Sequence, residues 1–362
     1  VSDHKTPRYP LVHAYLYLSG GCNLRCAHCW ISPDFAPRPD AAFDRLTTAD
    51  VQKTIDGALP LGLSRVKLTG GEPFLNEDVF EIVEVLAGRN LSIMIETNGT
   101  LIDRDCAAFL KKNGVGFVSV SVDSHRVSFH DAFRGVAGSL EKTAAGIGHL
   151  AAEDIDVQVI MSLVRENAAD IEGLVDMAVR LGARSVKINP VNPVGRGGAL
   201  MDRGRTVPVE ELLRLAGWVE EELSIRYGIR MYFTIPSALK PISHLFDGRN
   251  AQCHILNIIG VLADGAVSIC GIGREEPELV IGNIRTDDLA VIWEESPVLE
   301  RLRSIVPGRL EGICGRCVMA GICLGSCRAD AYALSGSLAA PHWVCREAHD
   351  RGLFPPGRMV ER

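Results

Sequence analysis

The sequence predicts an α/β protein built on parallel strands. Three observations predict it. Short apolar β-like runs alternate with longer amphipathic stretches through the first two thirds of the 362 residues. Glycine-rich and polar signals gather just after these runs. Beyond about residue 235 the texture changes to short elements punctuated by Gly, Pro and Cys.

The runs come in order as "LVHAYLYLS" at 11–19, "RVKLTG" at 65–70, "LSIMIETNG" at 91–99, "GFVSVSVD" at 116–123, "DVQVIMSLV" at 156–164 and "ARSVKINPV" at 183–191. Between them lie segments such as "TTADVQKTIDGALPLG", "NEDVFEIVEVLAGRN" and "NAADIEGLVDMAVRLG". Each has a helix-start residue, apolar positions three and four apart, and a closing Gly or Asn. Six strand–helix units in succession imply parallel strands joined by right-handed crossovers. A doubly wound open sheet and a (β/α) barrel both satisfy this pattern. In either, chemistry belongs at the carboxyl ends of the strands. A cysteine trio follows the first run, "GGEP" the second, "ETNGT" the third, "SVDS" the fourth and "NPVNPVGRGG" the sixth. The expected domains are 10–235 and a smaller, cysteine-rich 236–362.

Composition narrows the function. Hydrophobic residues make up 47% and charged residues 23%, with a net charge of −7, an ordinary balance that argues against bulk electrostatic binding of nucleic acid. No apolar run approaches a membrane span and no signal peptide precedes the first strand, so the expected compartment is the cytoplasm, with no membrane partner. Eleven cysteines in a reducing compartment point to metal or redox chemistry rather than disulfides. Cys106, alone on an amphipathic segment, reads as packing.

"GGCNLRCAHC" at 20–29 sets Cys22, Cys26 and Cys29 on the loop leaving the first strand. A structural zinc would need a fourth ligand, and His28 is awkwardly adjacent to Cys29. A cubane [4Fe–4S] cluster held by three cysteines would instead keep one iron open. This CxxxCxxC motif in a six-unit (β/α) domain resembles the radical S-adenosylmethionine (SAM) superfamily. The resemblance implies a partial (β/α)6 TIM-type barrel. It implies that the open iron chelates SAM, and that one electron from the cluster releases methionine and a 5′-deoxyadenosyl radical. By the same resemblance, Gly70, Gly71, Glu72 and Pro73 match the family's GGE motif, whose backbone meets the SAM amino group. His28 holds the slot beside adenine, and Thr97 and Asn98 close the third strand. Ser121 and Asp123 match a fourth-strand segment that contacts ribose or carboxylate, and Lys142 stands where a basic partner for the SAM carboxylate is found.

Seven further thiols follow as Cys253, Cys270, Cys314, Cys317, Cys323, Cys327 and Cys345. They are too many for one tetrahedral ion. Two zinc sites completed by His254 or His342, or two iron–sulfur clusters, would use them. The spacing resembles the SPASM domain of radical SAM enzymes. That resemblance implies two auxiliary [4Fe–4S] clusters, one on Cys253, Cys270 and Cys327 with a fourth ligand unassigned, and a second on Cys314, Cys317, Cys323 and Cys345.

SPASM enzymes mostly act on peptides, which implies hydrogen abstraction from a peptide followed by oxidative bond formation, as in thioether or other crosslinks of ribosomally made peptides. Gly271 stands where sulfatase maturases carry an aspartate base, which lowers that alternative. A tetrapyrrole or haem precursor is another, and a zinc-stabilised binding protein is the non-enzyme rival. The first strand starts near residue 11, so the peptide is expected to dock on the barrel or the C-terminal domain or to arrive with a separate leader-binding protein, with an electron donor such as flavodoxin or ferredoxin. "NPVGRGG" at 192–198 is expected to form a mobile loop at the mouth, with Arg196 near SAM or peptide.

Overall fold

A computed structural model describes residues 9–36, 42–247 and 253–360. Its centre is a run of parallel strands: β1 (His13–Ser19), β2 (Arg65–Gly70), β3 (Ser92–Thr97), β4 (Phe117–Ser121), β5 (Asp156–Leu163) and β6 (Ser185–Pro190). Helices α1 (Thr48–Ala58), α2 (Val79–Ala87), α3 (Arg104–Lys112), α4 (Val127–Arg134), α5 (Ser139–Ala152) and α6 (Ile171–Arg180) alternate with them. The arrangement is the partial (β/α)6 barrel. Sequence capping residues set the helix starts: Thr47 and Asp50 form a capping box on α1, and the Asp103 side chain accepts from the Cys106 amide at the start of α3.

The two faces of each strand differ in kind. Val66, Leu68, Ile95, Val118, Val120, Val159, Val186 and Ile188 point toward the helical layer and are buried. The alternate positions Lys67, Thr69, Glu96, Ser121, Ser162, Lys187 and Asn189 line a single interior cavity. Each fully buried Leu or Val on the outer face contributes about 1.5–3 kcal/mol, so packing against the helices holds the strands and leaves the inner face free for polar side chains. Cys106 is buried in the same apolar layer, as a packing residue.

The sheet extends beyond the six expected strands. β7 (Arg230–Phe233) pairs in parallel with β6. On the other flank β8 (Ile258–Val261) pairs in parallel with β1, followed by the antiparallel β9 (Ala266–Ser268) and β10 (Val280–Asn283). Among the described residues the order is β10-β9-β8-β1-β2-β3-β4-β5-β6-β7. The stretch after 230 reads as loop in sequence because β7 is only four residues long and is followed three residues later by Pro236. Its outer flank is closed by a buried carboxylate: Glu220 accepts from the Phe233 amide at 2.7 Å and from Lys240 Nζ at 2.7 Å. The cysteine-rich part thus continues the barrel sheet. No helix among the described residues is long and apolar enough to cross a membrane.

Candidate active site

The trio loop is tied at both ends. Gly21–Cys22 pairs with Asp34–Phe35, and the Ala36 amide donates to the Cys22 carbonyl at 2.8 Å. The Arg25 and Ala27 amides donate to the carbonyls of Arg134 and Phe133, each at 2.8 Å, clipping the loop to the end of α4. Gly135 is needed there: it has φ +75°, and a Cβ would sit 2.8 Å from the Arg25 carbonyl oxygen. Cys22, Cys26 and Cys29 are all free thiols and all line the interior cavity. Burial, with Glu72 and Cys26 adding to it, pushes the Cys22 thiol far up; burial pushes Cys26 up to about 11 despite the nearby Arg134. Such thiols ionise only when a metal takes the proton's place.

Strand ends brace this loop. A Cβ on Gly71 would land on the Gly21 carbonyl, and the Gly71 and Glu72 amides donate to Ser19 O (2.7 Å) and Gly21 O (2.9 Å). The Glu72 side chain is fully buried and accepts from Thr97 Oγ1 (2.7 Å), the Asn98 amide (2.9 Å) and the Phe74 amide (3.3 Å). Burial, only partly offset by these bonds, raises its pKa to about 7. Asn98 Nδ2 donates to Asn23 at 2.7 Å and lies 3.9 Å from the Cys22 sulfur. Gly70, Gly71, Thr97 and Asn98 line the cavity, while Glu72 and Pro73 lie behind them as buried supports.

On the opposite wall His28 and Ser121 line the cavity. His28 stacks on Phe133 at 4.5 Å, and burial lowers its pKa to about 4, so it is neutral. Asp123 is fully buried behind Ser121, outside the cavity lining. Its carboxylate accepts from the Ser162 amide (2.9 Å) and from Arg134 Nε (2.6 Å), and Arg134 Nη1 lies 3.7 Å from the Cys26 sulfur. Lys142 is exposed on α5 and does not reach the cavity. The cations that face it are Arg134, Arg196, Lys67 and Lys187, of which Lys67 pairs with Glu96 at 2.9 Å. Sequence reasoning missed Arg134, Lys67 and Lys187. The period-two pattern placed the two lysines on the inward face of their strands, a signal that was available.

Of the segment 192–198, residues 192–195 lead through a bend and turn and residues 196–198 begin helix α7 (Arg196–Asp202). Gly195, at φ +56°, packs where a Cβ would lie 2.7 Å from the Trp30 carbonyl, and the Arg196 amide donates to Cys29 O at 2.9 Å. Contact with the trio loop orders the segment and brings Arg196 into the cavity.

The C-terminal thiols fall into two groups. Cys253, Cys270 and Cys327 act on one another electrostatically, and Cys345 is surrounded by Cys314, Cys323 and Cys317. The resemblance to the SPASM domain implies the same two groupings. Cys253 and Cys327 line the same cavity as the trio.

The residues fit the groups the resemblance implies. Three soft thiol donors line one cavity, the donor type and number that a three-cornered cubane takes, although among the described residues no three His, Cys, Asp or Glu side chains sit close enough to hold a single metal ion. The cavity of about 440 Å³ is of the size that holds a drug-sized ligand. Two buried polar atoms in its lining, His28 Nδ1 and Arg196 Nε, have no partner within the protein, as expected where a polar ligand completes the set.

Comparison with known proteins agrees. The model of the radical SAM superfamily matches residues 16–178, and that of an iron–sulfur cluster-binding domain, SPASM, matches 253–318. The AdoMet-dependent heme synthase of Methanosarcina barkeri is 30% identical over 359 residues, covering 94% of this chain and 96% of that protein. The chain belongs to the radical SAM superfamily. It is a radical SAM enzyme of the SPASM branch, with SAM and iron–sulfur clusters as cofactors. The mycofactocin maturase MftC of Mycobacterium ulcerans is 25% identical, covering 95% of this chain and 90% of its own. The structure of Streptococcus suis SuiB bound to precursor peptide SuiA shares the fold, with a TM-score of 0.75 at 16% identity over 95% of this chain and 77% of SuiB.

Proposed function

We propose that this radical SAM enzyme removes a hydrogen atom from a peptide and closes a new bond oxidatively, a thioether or another crosslink. When bound, the cofactors supply a 5′-deoxyadenosyl radical and one-electron acceptors. The observation that carries the reading is the shared chamber: Cys22, Cys26 and Cys29 face the same cavity of about 440 Å³ as Cys253 and Cys327. SAM is itself drug-sized, and pockets for one such ligand run from about 300 to 1,000 Å³. The chain's own contribution is enclosure and orientation. The Gly70–Gly71 backbone, His28, Ser121 and Arg196 surround the SAM position, and the strand-borne polar residues meet the substrate.

Two observations favour a tetrapyrrole carboxylate as a second reading. The M. barkeri relative is named a heme synthase. Lys187 faces the cavity with no carboxylate partner among the described residues, its pKa lowered by burial and by Lys67.

Anaerobically reconstituted enzyme, given dithionite and SAM, separates the two. The assay offers a short peptide encoded by a neighbouring open reading frame, or iron coproporphyrin III. The expected result is 5′-deoxyadenosine that rises with peptide, and a peptide product lighter by two hydrogens. Turnover with the porphyrin and none with peptide would establish the second reading. Cys26→Ala should abolish 5′-deoxyadenosine, whereas Cys317→Ala should leave some SAM cleavage without product. Full product from Cys317→Ala would remove the Cys314 set from the oxidative step.

A further inference from the structure

The two auxiliary thiol sets are joined by a short and unusual piece of chain, "CLGSCR" at 323–328. Cys323 belongs to one set and Cys327 to the other. The three residues between them, Leu324, Gly325 and Ser326, all have positive φ, at 52°, 74° and 59°. Leucine and serine rarely adopt that conformation, and such backbone persists where its surroundings enforce it. The enforcing group is Arg328. Its side chain is fully buried, with Nη1 donating to Leu338 O (3.0 Å) and Ala340 O (2.7 Å) and Nη2 donating to Gly325 O. A Cβ on Gly325 would lie 2.7 Å from the guanidinium carbon, so the turn closes over the cation only with glycine there.

This guanidinium has a charge problem. Its neutral partners are carbonyls, and Nε is buried with no hydrogen-bond partner among the described residues. A buried cation requires a counter-charge. The charges that act on it most strongly are the thiols of Cys314, Cys327, Cys323 and Cys345, drawn from both sets. Cys253 of the first set feels it in turn. The nearby Asp330 has Oδ2 3.4 Å from His342 Nε2, and its Oδ1 is buried with no hydrogen-bond partner among the described residues.

We propose that Arg328 is the shared counter-ion of the two auxiliary clusters, a positioning residue whose fixed positive charge raises the reduction potential of both. Thiolate-ligated clusters are anionic, and nearby charge is one of the levers that set their potentials. A cation between the two clusters eases electron arrival at each and holds the strained three-residue link that spaces them. The inference rests on the cysteine sets alone and is independent of which substrate the enzyme takes.

The test is potentiometry followed by electron paramagnetic resonance. It uses the full chain carrying Cys22→Ala, Cys26→Ala and Cys29→Ala, so that only auxiliary clusters contribute. Arg328→Gln should shift both midpoint potentials to more negative values, and Arg328→Lys should keep them near those of the parent. Full iron content in Arg328→Gln with both midpoints unmoved would overturn the proposal, as would movement of only one. Should Arg328→Gln fail to retain iron, Arg328→Lys decides. Parent-like iron and midpoints support a charge role, and loss of iron there too refutes it.

Discussion

Substituting Asp123 by Asn isolates a deeply enclosed ion pair of the barrel. The residue is fully buried and Arg134 nearly so, and the pair meets at 2.6 Å. Asn keeps the shape but removes the charge, leaving a guanidinium buried beside thiols. Breaking a buried pair from one side costs about 3–5 kcal/mol. Unfolding entropy of about 2.1 cal/mol/K per residue over 362 residues gives roughly 0.76 kcal/mol/K, so the apo protein should melt about 4–7 °C lower. A pH series adds a second check. Burial alone would raise the Asp123 pKa, but Arg134, His28 and His130 outweigh it and hold the pKa at about 2, against 3.8 ordinarily. A depressed carboxylate stabilises the fold above 3.8, and that contribution, about 2 kcal/mol, is lost as pH falls through 2. Between those values the wild type should lose stability more steeply than Asp123→Asn. Replacing both partners, Asp123→Asn with Arg134→Met, should recover much of the loss. A single variant melting within a degree of wild type, with a flat difference across that pH range, would refute the reasoning.

Gly71→Ala forces a methyl group onto the Gly21 carbonyl; overpacking of this kind costs about 1–3 kcal/mol, and iron bound by the Cys22 set should fall, measured per chain after reconstitution. Arg196→Ala removes a cavity cation with an unpartnered Nε and should weaken SAM binding about tenfold, or 1.4 kcal/mol, by calorimetry under argon. Lys142→Ala, on the exposed side of α5, should change SAM affinity less than about twofold by the same arithmetic. Equal losses in these two variants would mean that Lys142 reaches the ligand.

Much of this arrangement was legible in the chain. The six apolar runs correspond to β1–β6 because each pairs a Val/Ile/Leu face with helices of 3.6 periodicity, and both patterns are local. The trio, the GG turn and the strand-end Thr97 and Asn98 were found because they sit at strand ends. Other features depend on distant contacts. Arg134 lies inside "FHDAFRG", where nothing local separates a cation that turns inward from one facing solvent. Asp123 matched the same fourth-strand segment as Ser121, which lines the cavity, yet it lies past the strand's end at Ser121 and the arrival of Arg134 turns it into the wall behind. Four-residue strands such as β7 carry too few positions for a period to register. The ordering of 192–198 arises from the trio loop, about 165 residues earlier in sequence.

The pairing of β1 with β8 sets an order of events during synthesis. His13 lies against Ile258 and Leu16 against Val261. On the ribosome, β1 must therefore wait, one flank bare, until Ile258, 245 positions after His13, has been translated. A naked strand margin invites pairing with other chains. The cysteine-rich end of this enzyme thus also acts as a late-arriving seal for the oldest part of the nascent sheet.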